Sequence, residues 1–309
     1  MDKGIFKFLH LVYVPFSGVG LHGGYRGDKW FKFRIEIFKK YCLASLLNQT
    51  NKNFTLWLSF RPDEASNPET GKLFDYLIKK DIKFIFTFQG LMYHDDKFTD
   101  YKLKHILKNF GMMLWDCYKY GEVKNPLKMI RYSVSNKNNT LEERLRISLA
   151  EIEDLYRDDR TWVYVTRIDS DDMFRKETID LIQKEKPALR RALVILKGYA
   201  YNLTTGQFAD WKSPNDANPP YHTIMFPSKI FFNPKKHLEY YKNFRTHEDI
   251  PKVFKAKYLP DNLYCFTIHG KNISTSWTSF LMKIQNNHIY NEYFGKERKK
   301  ILSDFGIKT

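Results

Sequence analysis

The chain has 309 residues, with 51 Lys and Arg against 35 Asp and Glu, a formal net charge of +16 at pH 7. Hydrophobic residues make up 43% and aromatics 17%, which excludes a disordered chain and predicts an ordered α/β or α+β body. Three cysteines (Cys42, Cys117, Cys265) without a C-x-x-C spacing argue against a disulfide framework or structural zinc, and no apolar run approaches the roughly 20 residues of a membrane span.

Residues 5–14 (IFKFLHLVYV) are β-rich and end at Pro15 and Gly18, so the N-terminus reads as a first strand rather than a signal peptide, and the chain as cytoplasmic. The Gly-rich stretch from Gly18 to Gly27 matches neither G-x-G-x-x-G nor a P-loop and reads as a surface loop. Phe31, Ile35, Phe38, Cys42, Leu43 and Leu46 carry helical spacing over 30–48, with a stop at Asn48-Gln49-Thr50-Asn51. A strand at 54–60, a helix at 69–80 and a strand at 82–88 complete a βαβαβ series, which predicts a parallel sheet. Residues 95–139 are Lys-rich and less regular, with one helix expected at 99–119. Thr140-Leu-Glu-Glu143 is a capping box opening a helix to about 157, and Trp162–Ile168 is a strand running into Asp169-Ser170-Asp171-Asp172. A helix at 176–185 follows. Leu193–Tyr201 and Gln207–Trp211 form a predicted hairpin around Thr204-Thr205-Gly206, then a Pro/Asn loop at 213–220 and a strand at 221–226. Helices at 234–243 and 248–256, a strand at 262–268 and a basic amphipathic tail complete the chain. The divisions expected are 1–190, 191–280 and the tail 281–309.

The acidic cluster is the most informative feature. It lies where an apolar strand ends, and open α/β sheets bind ligands beyond the carboxyl ends of their strands. Asp169 and Asp171 alternate on an extended segment and could converge on one divalent cation, Mn²⁺ or Mg²⁺, whose hard character suits carboxylates and phosphates. The competing reading is an acidic turn capping the next helix. His247-Glu248-Asp249 opens a helix and offers either a general base or an N-cap. His269 follows the strand Tyr264–Ile268 beside Gly270, as a further metal ligand or a surface histidine. Tyr199, Tyr201, Trp211, Tyr221 and His222 are candidates for stacking on a sugar ring or for core packing.

The segment SLLNQTNKNFTLWLSF from Ser45 and the run TRIDSDDMF from Thr166 resemble inverting, family-2-like glycosyltransferases with the GT-A fold. With Arg34-x-x-x-Phe38-x-x-x-Cys42-Leu43-x-Ser45-Leu46 they are similar to the rhamnosyltransferase-like group of bacterial and viral enzymes. The resemblance implies a GT-A, Rossmann-like α/β fold: a mostly parallel central sheet flanked by helices, with a C-terminal α+β acceptor side. It implies a UDP-, GDP- or dTDP-sugar donor, a glycan or lipid-linked acceptor, and a metal on Asp171 and His269 with Asp169 beside the metal or ribose. Glu248-Asp249 matches the family's E-D pair, which makes Asp249 the candidate base. Arg61, Asp63 and Arg167 are the other donor-side candidates, although the carboxylate usual after the second strand is displaced to Asp63. The absence of Q-x-x-R-W points to single additions. A pI near 9.5 and the tail lysines leave room for peripheral contact with an anionic membrane, or for nucleic acid as the acceptor. An inactive binding protein on the same scaffold is the alternative from another class.

Overall fold

Runs that are apolar on both faces suit strands covered on both sides, and the first strand is of this kind. In the computed structural model, which describes residues 7–18, 27–92, 111, 114–115, 118, 140–155, 161–212, 221–241, 247–270, 272 and 289–308, β1 (Phe8–Pro15) is buried from Leu9 onward. The loop between Gly18 and Gly27, the loop 213–220 and most of the helix expected at 99–119 lie outside the described residues.

In chain order β1 is followed by α1 (Asp28–Ile37), a π-helical turn (Phe38–Cys42) and α2 (Leu43–Leu47), the three in continuous register. The stripe read from the sequence is buried throughout, from Phe31 to Leu46. Leu43 N donates to Phe38 O in the wider π pattern, which rotates the following turn relative to the preceding one. Next come β2 (Thr55–Ser59), a 3₁₀ turn (Pro62–Ser66), α3 (Pro68–Lys79) and β3 (Phe84–Thr87). Asn67 caps α3, its side chain accepting from Glu69 N, with Pro68 at the first helical position. Of the expected capping box, the Thr140 cap opens α4 (Leu141–Leu155), Glu143 N donating to Thr140 Oγ1 at 3.2 Å, while the Glu143 carboxylate pairs with Arg146. The rest of the chain forms β4 (Trp162–Arg167), β5 (Met173–Phe174), α5 (Thr178–Gln183), β6 (Arg191–Val194), β7 (Lys197–Asn202), β8 (Phe208–Lys212), β9 (His222–Pro227), α6 (Ser228–Phe231) and α7 (Pro234–Tyr240). After these come a 3₁₀ turn (His247–Asp249), α8 (Ile250–Val253), β10 (Lys255–Tyr258), β11 (Tyr264–Ile268), β12 (Ile289–Glu292) and α9 (Gly295–Asp304).

The molecule has a mixed α/β fold with a mostly parallel sheet and flanking helices. Its residues divide into two compact units: 1–36, 54–165 and 225–246 in the first; 37–53, 166–224 and 247–309 in the second. In the first unit β1 pairs in parallel with β2 (Val12 opposite Leu56) and β2 with β3 (Trp57 opposite Ile85), as the βαβαβ reading expects. In the second unit β6 runs antiparallel to β9 and parallel to β10. The second unit also holds a five-stranded sheet in the order β12-β8-β7-β11-β5. Tyr41, Met173, Tyr199, Phe208, Cys265, Leu302 and Phe305 pack into one core there, so α9 is anchored by its apolar face. Among the described residues no helix is long and apolar enough to cross a membrane.

Two expectations are corrected. The first arm of the predicted hairpin is two strands in two sheets: β6 joins β9 and β10, and only β7 turns back on β8, at Thr204–Gly206 with Gly206 at φ +75°. The helix expected to 256 ends at Val253, and Lys255–Tyr258 is strand β10, because its backbone finds a parallel partner in β6. Pattern alone favoured one long element in each case; partners decided otherwise.

Candidate functional site

The second unit builds one polar cluster from two strand ends. β4 delivers Asp169–Asp172, folded by a turn in which Asp172 N donates to Asp169 O at 3.1 Å. β11 delivers His269, and Gly270, at φ +72°, adopts the left-handed conformation that turns the chain back toward Asn272. His269 N then donates to Asn272 Oδ1 at 2.8 Å, and Asn272 Nδ2 donates to Thr267 O at 2.8 Å. His269 Nε2 and Asn272 Nδ2 both lie 3.1 Å from Asp171 Oδ2. The side chains of Asp171 and His269 are 7% and 3% exposed, so each meets the other in place of water.

The three acidic residues have separate fates. Asp171 faces His269. Asp169 pairs with Arg167, whose Nη2 lies 3.1 Å from its Oδ1. Asp172 turns inward, accepting from Tyr221 OH at 2.6 Å and Thr267 N at 2.8 Å. Burial first, and then the charges of Asp171 and Asp169, push the Asp172 carboxyl well above the usual carboxylate range. Thr267 Oγ1 donates to Asp171 O at 2.7 Å, so β11 grips the loop as well as supplying the histidine.

Asp249 stands at the start of α8, its Oδ1 3.1 Å from Lys252 Nζ; the side chain of Glu248 lies outside the described residues. His222, on β9, is buried, and burial followed by the nearby charges of Arg167 and His247 drives its pKa well below the usual histidine value, leaving a neutral ring. Trp211 packs edge-on against Phe266, with centroids 4.9 Å apart, and half-buried Tyr201 meets Tyr41 and Phe208. In the first unit, Arg61 holds Asp63 in a two-pronged pair at 2.8 and 2.9 Å and reaches Glu64 at 3.2 Å. Glu64 also accepts from Ser17 Oγ and from Arg61 N, and burial raises its carboxyl above the ordinary value despite the Arg61 charge.

Among the described residues no group of three or more His, Cys, Asp and Glu side chains is arranged to hold a metal ion. The donor chemistry of Asp171 and His269 nevertheless fits a hard divalent cation, with the Asn272 amide holding the carboxylate. A carboxylate and an imidazole nitrogen meet at a distance two ligands of one ion can share, and a Mg²⁺-type ion needs only one or two carboxylates when phosphates complete its shell. Spacing does not single out Asn272 or Thr267, although the glycine after His269 is a signal for the turn that brings Asn272 back.

Residues 25–72 match the model of a family described as "Putative rhamnosyl transferase". This segment is similar to a glycosyltransferase group. It runs from the approach to α1 into α3, and so includes the π turn, α2, Ser45, Gln49, Arg61 and Asp63. No curated protein matches the chain.

Proposed function

We propose that the chain is a metal-dependent glycosyltransferase that moves a sugar from a nucleotide-sugar donor to a hydroxyl of a glycan or lipid-linked acceptor, with inversion. The observation that carries this reading is the buried approach of Asp171 Oδ2 to His269 Nε2, 3.1 Å apart, beyond the ends of β4 and β11. The likeness of residues 25–72 to a transferase family supports it.

Asp171 and His269 would hold Mn²⁺ or Mg²⁺, with Asn272 orienting the carboxylate. Bound there, the ion supplies positive charge to the diphosphate as it leaves, an electrostatic contribution commonly worth several kcal/mol. Asp169 and Arg167 form the donor side of the same loop. Asp249 receives the proton of the acceptor hydroxyl on its carboxylate, which lets oxygen attack from the face opposite the leaving group. The family description makes a deoxyhexose the first sugar to try.

Thermal-shift titration with UDP-, GDP-, dTDP- and CMP-sugars, with and without Mn²⁺, tests the reading, since a ligand of the native state raises apparent stability. One donor should raise Tm only when Mn²⁺ is present, and Asp171→Asn should remove that metal-dependent part. Asp249→Asn should keep the donor shift and lose about 10²–10⁴-fold in transfer. If no nucleotide-sugar gives a metal-dependent shift with the wild-type chain, the reading fails.

A further inference from the structure

We propose that Ser45 and Gln49 are positioning residues for the acidic loop: they stand in for a neighbouring strand along the open edge of β5 and thereby hold Asp171 opposite His269. The role of the loop itself rests on the functional reading above; the clamp does not.

β5 ends the five-stranded sheet, so among the described residues only one of its edges has a strand beside it. On that edge Tyr264 pairs with Phe174 and Cys265 with Met173, and Arg175 N donates to Leu263 O at 2.9 Å. The other edge of Phe174 is buried, with the residue 1% exposed, and backbone groups there need partners at a cost comparable to a lost hydrogen bond. Side chains supply them. Ser45 Oγ accepts from Phe174 N at 3.1 Å while donating to Cys42 O at 2.7 Å. Gln49 Nε2 donates to Arg175 O at 2.8 Å, to Ser45 O at 3.1 Å and to Phe174 O at 3.3 Å. Its Oε1 accepts from Ile179 N at 3.0 Å, tying in the first turn of α5. Thr50 N extends the same row by donating to Lys176 O at 2.8 Å.

Only Asp172 and Met173 separate Asp171 from this clamped residue. The loop is therefore pinned at two points, by Thr267 on β11 and by Ser45 and Gln49 through β5. β11 carries His269 as well, so the relative placement of the carboxylate and the imidazole depends on β5 staying in register with β11. This also gives a physical account of S-L-L-N-Q-T: the serine and glutamine are spaced to follow one face of the chain as it leaves the helix. Both are buried, at 0% and 2% exposed.

The test compares Gln49→Glu, which keeps the acceptor for Ile179 N and removes the donors to three carbonyls, with Ser45→Ala and with Asn51→Ala as a control on the same turn. Residue-resolved hydrogen exchange and Mn²⁺ titration by EPR are read on each. Gln49→Glu and Ser45→Ala should speed exchange at Phe174 and at the Asp172 amide, and should weaken Mn²⁺ binding about 10-fold or more, as loss of outer partners of metal ligands does. Asn51→Ala should change neither. Faster exchange confined to Phe174, with Asp172 unaltered, would reduce the pair to a structural role and overturn the proposal, as would unchanged Mn²⁺ affinity in both variants. Should the wild-type chain bind no Mn²⁺, the metal reading falls, and the Asp172 amide alone decides whether the clamp positions the loop. If Gln49→Glu does not fold, Ser45→Ala carries the same readouts.

Discussion

At the scale of single residues, the acidic run is three carboxylates with three environments, and only position in the fold separates them. Asp171 is paired with His269 and Asn272, Asp169 with Arg167, and Asp172 with Tyr221 and Thr267. Asp172 is the one on which folding depends most directly. Removing its side chain leaves a buried phenol and a buried backbone N–H without their acceptor, each costing about 1–3 kcal/mol. Asp172→Ala should therefore lower stability by about 2–5 kcal/mol in urea titrations. Asp172→Asn, which keeps one acceptor for Thr267 N and allows the Tyr221 hydroxyl to rotate, should cost less than half as much. Equal losses in the two variants would show that shape rather than hydrogen bonding matters at this position.

At the scale of elements, periodicity located what local pattern can specify. The helix stripe from Phe31 to Leu46, the Thr140 cap and the strand before Asp169 are all where their residue types put them. Partner choice was not legible. Nothing in Leu193–Tyr201 announces that β6 and β7 enter different sheets, and Gln49 grips Phe174 across 125 positions of chain. Asp171 and His269 could be picked out as strand-end residues of the right chemistry, whereas Ser45, Gln49 and Thr267 act through backbone groups that carry no residue signature, and Asn272 reaches the Asp171 carboxylate only by way of the turn at Gly270. Gly198 on β7 is a similar case. A Cβ there would lie 2.6 Å from Tyr264 O and 2.7 Å from the Tyr264 ring, so β7 and β11 can approach only because the position is glycine. Neither the carbonyl nor the packed ring can swing aside. Gly198→Ala should destabilise by about 1–3 kcal/mol or more, as overpacking does. A thermal midpoint equal to wild type would mean that β11 shifts freely, and would weaken the case that it holds His269 in place.

At the scale of the whole molecule, stability against acid follows from the histidines that fold as neutral rings. His10 on β1 is lowered to about 3, and His237 on α7 to about 4, in both cases chiefly by burial. His237 donates through Nδ1 to Phe231 O at 2.8 Å and stacks against Tyr241. Unfolded histidine titrates near 6.5, so below that pH the unfolded chain takes up protons that the folded chain refuses. Stability is then full above about pH 6.5 and falls as pH drops toward the folded values, flattening near 4 for His237 and near 3 for His10. By pH 5 each ring should have cost about 2 kcal/mol. His237→Phe keeps the aromatic volume and removes the proton site, although it leaves Phe231 O without that partner. The variant should be less stable than wild type at pH 7.5 and should lose less between pH 7.5 and 5. Parallel stability curves for the two proteins over that window would show that His237 does not contribute to the acid limit. The charge of +16 acts in the same direction: protonation of surface carboxylates removes the partners of many lysines while self-repulsion grows, so the histidine contribution is read as the difference between the two curves and not from either alone.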